Sequence, residues 1–438
     1  MNRPHLRMSG RRRLALISVT AVLALSAAIP SGAAAASEPA TMLLAWDQYA
    51  LEAIYNPPTG TPPGAGQAAP VGSLHIAMVE IAMYDAVNAI DRGHEPYLRN
   101  LPHPSRSASK SAAAATAAHH VLVGLVPALA DNVKANLDTL YAASLAAISA
   151  GWRKTAGIRT GAAVAAKMLA NRANDGRFVP YSFTPGTAPG EWRPELPLFG
   201  SDPFAWVSNV TPFGIRRASQ FRTNGPFALD SAAYAAEFNE VKALGGVTSS
   251  RTPEQTELAR FFSTNPIPMM HKSFRDIATA KGLSITRAAR LFGMLSMASA
   301  DALIGCWDDK DYWSFWRPIT AIREAANDGN PATTAQADWL PFFPTPLYPD
   351  HPSGYNCLTG AMMYAGRAFF GTNRVTISFT SPGTMTTRTY TRLTAVTADT
   401  ITARIYLGFH FRNPDVQGVN LGRRTANFIA SHYFEQDD

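Results

Sequence analysis

Three observations predict an all-α fold carrying one short β-hairpin. Apolar residues recur at helical spacing through most of the 438 residues. The composition, 46% hydrophobic and only 16% charged, supplies enough apolar surface for a large buried helical core. Strict alternation of the strand kind is confined to residues 374–394.

In chain order, residues 1–36 come first. Arg3, Arg7 and the run Arg11-Arg12-Arg13 precede an apolar stretch over 14–29, which ends in GAAAAS at 32–37. This pattern predicts a signal peptide cut after Ala36, with Ala35 as the neighbouring option, and export by general secretion or by a twin-arginine route. Residues 1–36 hold five arginines and no acid, so their removal lowers the formal net charge from +7 to +2. No Lys/Arg run survives, and a nucleic-acid-binding role is excluded. No later stretch is read as apolar for long enough to span a bilayer, so a soluble exported product is expected.

The mature chain, 37–438, is predicted as one large helical domain with a helical half at about 67–176, a loop at 177–230 and a motif-bearing half at 231–435. Helical periodicity runs through 75–90 (Ile76, Val79, Ile81, Met83, Val87, Ile90), the Ala-rich 112–150 and 158–173. It resumes over 231–244, 253–263 with Thr252 as cap, 285–304, 355–370 and 397–408. Between them, 177–230 is rich in Pro, Gly and aromatics without a period, which predicts a site wall or lid, or a clasp between the halves. VTISFT and TMTTRTYT around Ser381-Pro382-Gly383 supply the hairpin.

Three stretches carry the chemistry: KDYWSFWRP from Lys310, HPSGY from His351 and RIYLGFH from Arg404. Lys310 and Arg317 are permanent cations seven residues apart, about two helical turns if the helix continues. Ser353 and Gly354 offer a hydroxyl and a backbone N–H to an anion at a helix start. Arg404 adds a third cation, and His410 a group able to ligate a metal-like centre or attack phosphorus. Together they read as an oxyanion cradle.

The order and spacing resemble the superfamily that joins vanadium-dependent haloperoxidases to type 2 phosphatidic acid phosphatases and bacterial acid phosphatases, with its pattern K-x6-R-P, P-S-G-H, S-R-x5-H-x3-D. Lys310, Arg317, Pro318, Pro352, Ser353, Gly354, Arg404 and His410 match. Tyr355 replaces the P-S-G-H histidine, Ala403 the serine, and Asp415 arrives one residue late. HIAMVEIAMYDAVNAI from His75, GEWRP from Gly190, RTPEQT from Arg251 and SADALIGCWDDKDYWSFWRPITAI from Ser299 are similar to secreted bacterial members of the haloperoxidase branch.

The resemblance implies two helical bundles side by side. It also implies vanadate, or phosphate in the same site, held by Lys310, Arg317, Ser353, Gly354 and Arg404, with His410 as the metal ligand. The partners it implies are hydrogen peroxide, a halide and a small organic substrate. A phosphohistidine route on a phosphate ester, as an acid or lipid phosphatase, is the alternative, and a weakened oxyanion-binding homologue a third.

Within this reading the catalytic set is His410, His351 and Tyr355. A phenol is a poor proton carrier at neutral pH, so His351 is expected to take over from the missing histidine, with a structural role capping the helix that begins near Ser353 as the other reading. Asp415, beyond Pro414, is expected off the face that would orient His410. Asp308, Asp309, Asp311 and Asp350 are expected to solvate helix ends or pair with arginines. Cys306 and Cys357 read equally as a disulfide or as two buried thiols, and zinc is excluded by their lack of close Cys or His companions.

Overall fold

The computed structural model describes residues 38–436, apart from 58, 62–65 and 196. The predicted signal peptide and its cleavage site lie outside the described residues. The described chain is built from helices: α1 (Thr41–Tyr55), α2 (Ala69–Asp91), α3 (Lys110–Val123), α4 (Asp131–Ala146) and α5 (Trp152–Asn171) come before the long loop. After it follow α6 (Ala232–Leu244), α7 (Pro253–Phe261), α8 (Pro266–Ala280), α9 (Ile285–Trp313), α10 (Pro318–Glu324) and α11 (Gly354–Phe370). The antiparallel hairpin β1 (Ile377–Thr380) and β2 (Thr387–Tyr390) pairs Ile377 with Tyr390 and Thr380 with Thr387, and α12 (Ala395–Leu407) and α13 (Arg412–Ala430) complete the chain.

Two long helices organise the interior. α2 is buried on every side from Pro70 to Ile90, and it packs on α1, α3, α5 and α9. α9 starts at Ser284, whose hydroxyl accepts from Arg287 N–H, and it contacts both α2 and α11. By length and composition α9 could cross a bilayer, contrary to the expectation from sequence. Its apolar window is instead enclosed by protein, and its last two turns carry Asp308, Asp309 and Lys310.

Glycines set the closest helix approaches. On α13, a Cβ at Gly422 would sit 2.2 Å from Cys357 O, and one at Gly418 2.7 Å from Ser353 O. This i, i+4 pair therefore lets the backbone of α13 lie directly against the start of α11.

The predicted helices form, with three differences of substance. The Ala-rich 112–150 is two helices, α3 and α4, because Gly124 caps the first and Pro127 follows. The helix from 285 continues to Trp313 and so carries Lys310. Four helices without a predicted counterpart appear, α1, α8, α10 and α13. Pro414 does not end a helix but occupies the first turn of α13, where a missing N–H costs nothing.

Gly422→Ala is expected to destabilise the fold by about 1–3 kcal/mol or more through overpacking against Cys357 O. A thermal unfolding midpoint equal to wild type would show that α13 can move away from α11 at no cost.

Candidate oxyanion site

The three motifs meet because the chain breaks between them. Lys310 lies on the last turn of α9, which stops when Ser314 adopts a left-handed conformation (φ 41°) and donates its N–H to Lys310 O. Arg317 then stands at the cap of α10, with Pro318 in the first turn. The two cations are therefore on either side of a helix end, not two turns apart on one helix. The loop before α10 is held by residues 190–192: Trp192 N–H donates to Ser314 O (2.7 Å) and Trp316 N–H to Gly190 O (2.9 Å).

α12 brings Arg404 on its last turn and ends at Gly408, φ 88°. A Cβ there would fall 2.1 Å from Gly245 O, so both conformation and space require glycine. The turn directs Phe409 O to Arg317 Nη1 (2.5 Å) and places His410 Nδ1 at 2.5 Å from Asp350 Oδ1.

Asp350, entirely buried, connects the pieces. Its Oδ1 faces His410 Nδ1 and also Arg317 Nη1 (3.3 Å), and its Oδ2 accepts from Phe411 N–H (3.4 Å). Of the two expectations for Asp350, pairing with an arginine holds, through Arg317, and solvation of a helix end does not. Asp415 does not reach His410 either: its Oδ1 accepts from Asn356 Nδ2 (2.7 Å), and Asn356 Oδ1 accepts from Thr400 Oγ1 (2.7 Å). Asp415 thus ties α13 to α11 and α12. Asn413 donates to Gly225 O instead of orienting the histidine.

Lys310 Nζ donates to Pro349 O (2.6 Å), Asp350 O (3.2 Å) and Pro352 O (2.6 Å). All three of its donors hold the 349–352 turn, so its contribution to an anion in this structure is its charge. Other groups are left open. Arg317 Nη2, Arg404 Nε, Tyr355 Oη and His351 Nδ1 are buried and have no hydrogen-bond partner among the described residues. Ser353 stands at the cap of α11 without capping it, and its hydroxyl faces the Asp415 carboxyl, which burial pushes well up and this hydroxyl draws back down. The Arg404 guanidinium lies 4.6 Å from the Tyr355 ring centroid and 4.2 Å from that of Phe409, fixed by stacking.

Each buried unmet polar group costs about 1–3 kcal/mol, more when charged, and a ligand that accepts from these donors would relieve that cost. The donor set is cationic and N–H/O–H, and His410 Nε2 lies 3.3 Å from Arg317 Nη1. That set fits a tetrahedral oxyanion such as vanadate or phosphate.

Comparison with known proteins agrees. Residues 290–436 match the family model described as the VCPO second helical-bundle domain. Over 190 residues the chain is 25% identical to the vanadium chloroperoxidase of Curvularia inaequalis, a match spanning 35% of this chain and 30% of that protein's length. Over residues 290–436 the chain thus resembles the vanadium haloperoxidases. Its fold is that of a bacterial vanadium-dependent iodoperoxidase (TM-score 0.74, 22% identity, 92% of this chain and 98% of the other). It is also that of a holo-type bacterial vanadium-dependent chloroperoxidase (TM-score 0.71, 18% identity, 90% and 97%).

The electrostatics of the site follow from burial among cations. Burial first, then Arg317, Arg404 and Lys310, hold His410 well below the usual histidine range, so it is neutral. Burial lowers Lys310 to about 8 and raises Asp350 to about 7, the latter against the pull of Arg317 and Lys310. Burial also pushes the Tyr355 phenol up, which leaves it a donor and not a base. His351 is lowered to about 3, by burial and then Lys310. Cys306 and Cys357 are both free and buried.

The sequence missed Asp350 as the partner of His410, and it missed Thr223 beside His351. Asp350 stands next to a motif, a usable signal, but sixty residues separate it from His410 and no periodicity links them.

Asp350→Asn is expected to lower vanadate affinity about 10–100-fold, as loss of a ligand's orienting partner does, whereas Asp415→Asn leaves it within about threefold and lowers the unfolding midpoint instead. Calorimetric titration of both variants checks this, and equal losses would contradict the assignment. Lys310 is charged below its lowered value and neutral above it. Phosphate affinity should therefore fall as pH rises from about 7 to about 9.5, and a flat profile would contradict a charge role for Lys310.

Proposed function

We propose that this protein is an exported, vanadate-dependent haloperoxidase-like enzyme that oxidises halide with hydrogen peroxide. The reading rests on the cluster of unmet buried donors around a neutral histidine whose Nδ1 is held by Asp350. Similarity to vanadium haloperoxidases supports it.

In this reading His410 would hold the metal through Nε2. Arg317 Nη2, Arg404 Nε, Ser353 Oγ and the Gly354 N–H would hold the oxygens, and Lys310 and the two arginines would offset the negative charge. Bound vanadate supplies a Lewis-acidic centre on which hydrogen peroxide becomes electrophilic towards a halide, with no redox change at the metal. The protein's part is to fix donors in a buried, low-dielectric site so that no reorganisation is needed. Asp350 keeps the His410 proton on Nδ1 and so leaves the lone pair on Nε2, which lies 3.3 Å from Arg317 Nη1. His351 Nδ1, unprotonated and unpartnered, accepts a proton from incoming peroxide, and Tyr355 serves as a hydrogen-bond donor. The oxidised halide then reaches a small organic substrate.

A second reading draws on the same pair. A neutral histidine held at Nδ1 by a carboxylate is also prepared to attack a phosphate ester and form phosphohistidine.

Purified residues 37–438 loaded with orthovanadate are expected to brominate in the presence of peroxide and bromide. His410→Ala should abolish the activity, and His351→Ala should lower turnover about 100- to 10,000-fold. Cleavage of a chromogenic phosphate ester, inhibited by vanadate and without bromination, would select the phosphatase reading. Undiminished turnover in His351→Ala would remove His351 from the mechanism.

A further inference from the structure

The long loop contributes a residue that none of the three motifs contains. Thr223 sits between α9 and the turn before α11, buried, and makes three contacts at once. Its N–H donates to Asp309 Oδ2 (2.8 Å), its hydroxyl donates to the same oxygen (2.6 Å), and its Oγ1 lies 2.8 Å from His351 Nε2. A hydroxyl has one proton, and here the carboxylate takes it. Oγ1 is then the acceptor towards His351, and Nε2 must carry the ring proton. The other nitrogen, Nδ1, is buried and bare.

We propose that Thr223 and Asp309 are positioning residues that hold His351 as the Nε2–H tautomer and so present its Nδ1 lone pair to the oxyanion site. The proposal rests on the reading of His351 as the proton acceptor given above. It repeats, with a threonine interposed, the logic by which a carboxylate fixes the tautomer of a catalytic histidine.

A purely structural staple is the competing explanation, since the same bonds pin the loop to α9. It accounts for Nε2 but not for Nδ1. A histidine kept only for packing would meet a donor on that side or leave no lone pair stranded, at a cost of about 1–3 kcal/mol. The surroundings also favour orientation over mere filling. The Trp313 ring stands edge-on to the imidazole with centroids 6.2 Å apart. That ring is seated on Gly225 (φ 84°), where a Cβ would lie 2.7 Å from it. On the far side, Arg222 Nη1 faces Asp309 Oδ1 at 3.4 Å and its Nη2 binds Asp308 (2.5 Å), which anchors the carboxylate. The charged and titratable groups acting on His351 from the cradle side are Lys310 and His410.

The test begins with the wild-type protein free of vanadate, so it does not depend on turnover. Nitrogen-15 NMR of the histidine rings, with His351 assigned by its loss in His351→Gln, is expected to show Nε2 protonated and Nδ1 bare. A proton on Nδ1 would overturn the proposal without any further variant. Thr223→Val is expected to lose this tautomer preference and to lower the turnover number about 10- to 100-fold, with the vanadate dissociation constant within about twofold of wild type. Thr223→Ser should restore both. A Thr223→Val protein with unchanged tautomer and unchanged turnover would reduce Thr223 to a staple. If wild type shows no halogenation at all, the function proposed above has failed, while the tautomer measurement still decides the role of Thr223 and Asp309.

Discussion

The contact between Asp350 and His410, 2.5 Å long and wholly buried, is the interaction on which the arrangement of the site depends. The same carboxylate takes Arg317 Nη1 and the Phe411 N–H, and the Asp350 carbonyl is one of three that hold Lys310. One residue thus fixes a cation from the end of α9, a cation from the start of α10 and the imidazole that follows α12. A buried carboxylate is expensive unless paired on several sides. Here the pairing is what gathers three segments distant in sequence.

Around that hub the fold supplies rigidity rather than chemistry. Gly408 turns the chain so that Phe409 and His410 face inward, and Gly418 and Gly422 bring α13 against the start of α11, so that Ser353 N–H reaches Pro414 O (3.0 Å). Glu237 on α6 accepts from Asn413 N–H (2.7 Å) and secures the first turn of α13. The donors aimed inward are left unsatisfied by these same constraints. Arg317 Nη2 and Arg404 Nε stay buried without a hydrogen-bond partner among the described residues, and the proposed anion would take up that capacity.

Much of this was legible in the sequence, for reasons that differ by element. Helices with long apolar periods, such as α2 and α9, announce themselves because they are buried on many faces. The residues of the proposed cradle could be named because Lys310, Arg317, Ser353, Arg404 and His410 recur at spacings that resemble a known superfamily. α13 was hidden by Pro414, whose effect depends on whether it falls in a first turn or in a helix interior, and only the chain's path decides that. Asp350 and Thr223 were hidden because each acts on a residue far away or on a loop without a period. Asp415 was read as off the face that would orient His410, and in space it serves α11 and α12 instead.

The most direct test of the account is a crystal structure of the protein soaked with orthovanadate. The account predicts one vanadium centre bound to His410 Nε2, with oxygens accepting from Arg317, Arg404 and Ser353 and with Asp350 still on His410 Nδ1. An empty cradle at saturating vanadate, or vanadium bound elsewhere, would contradict it.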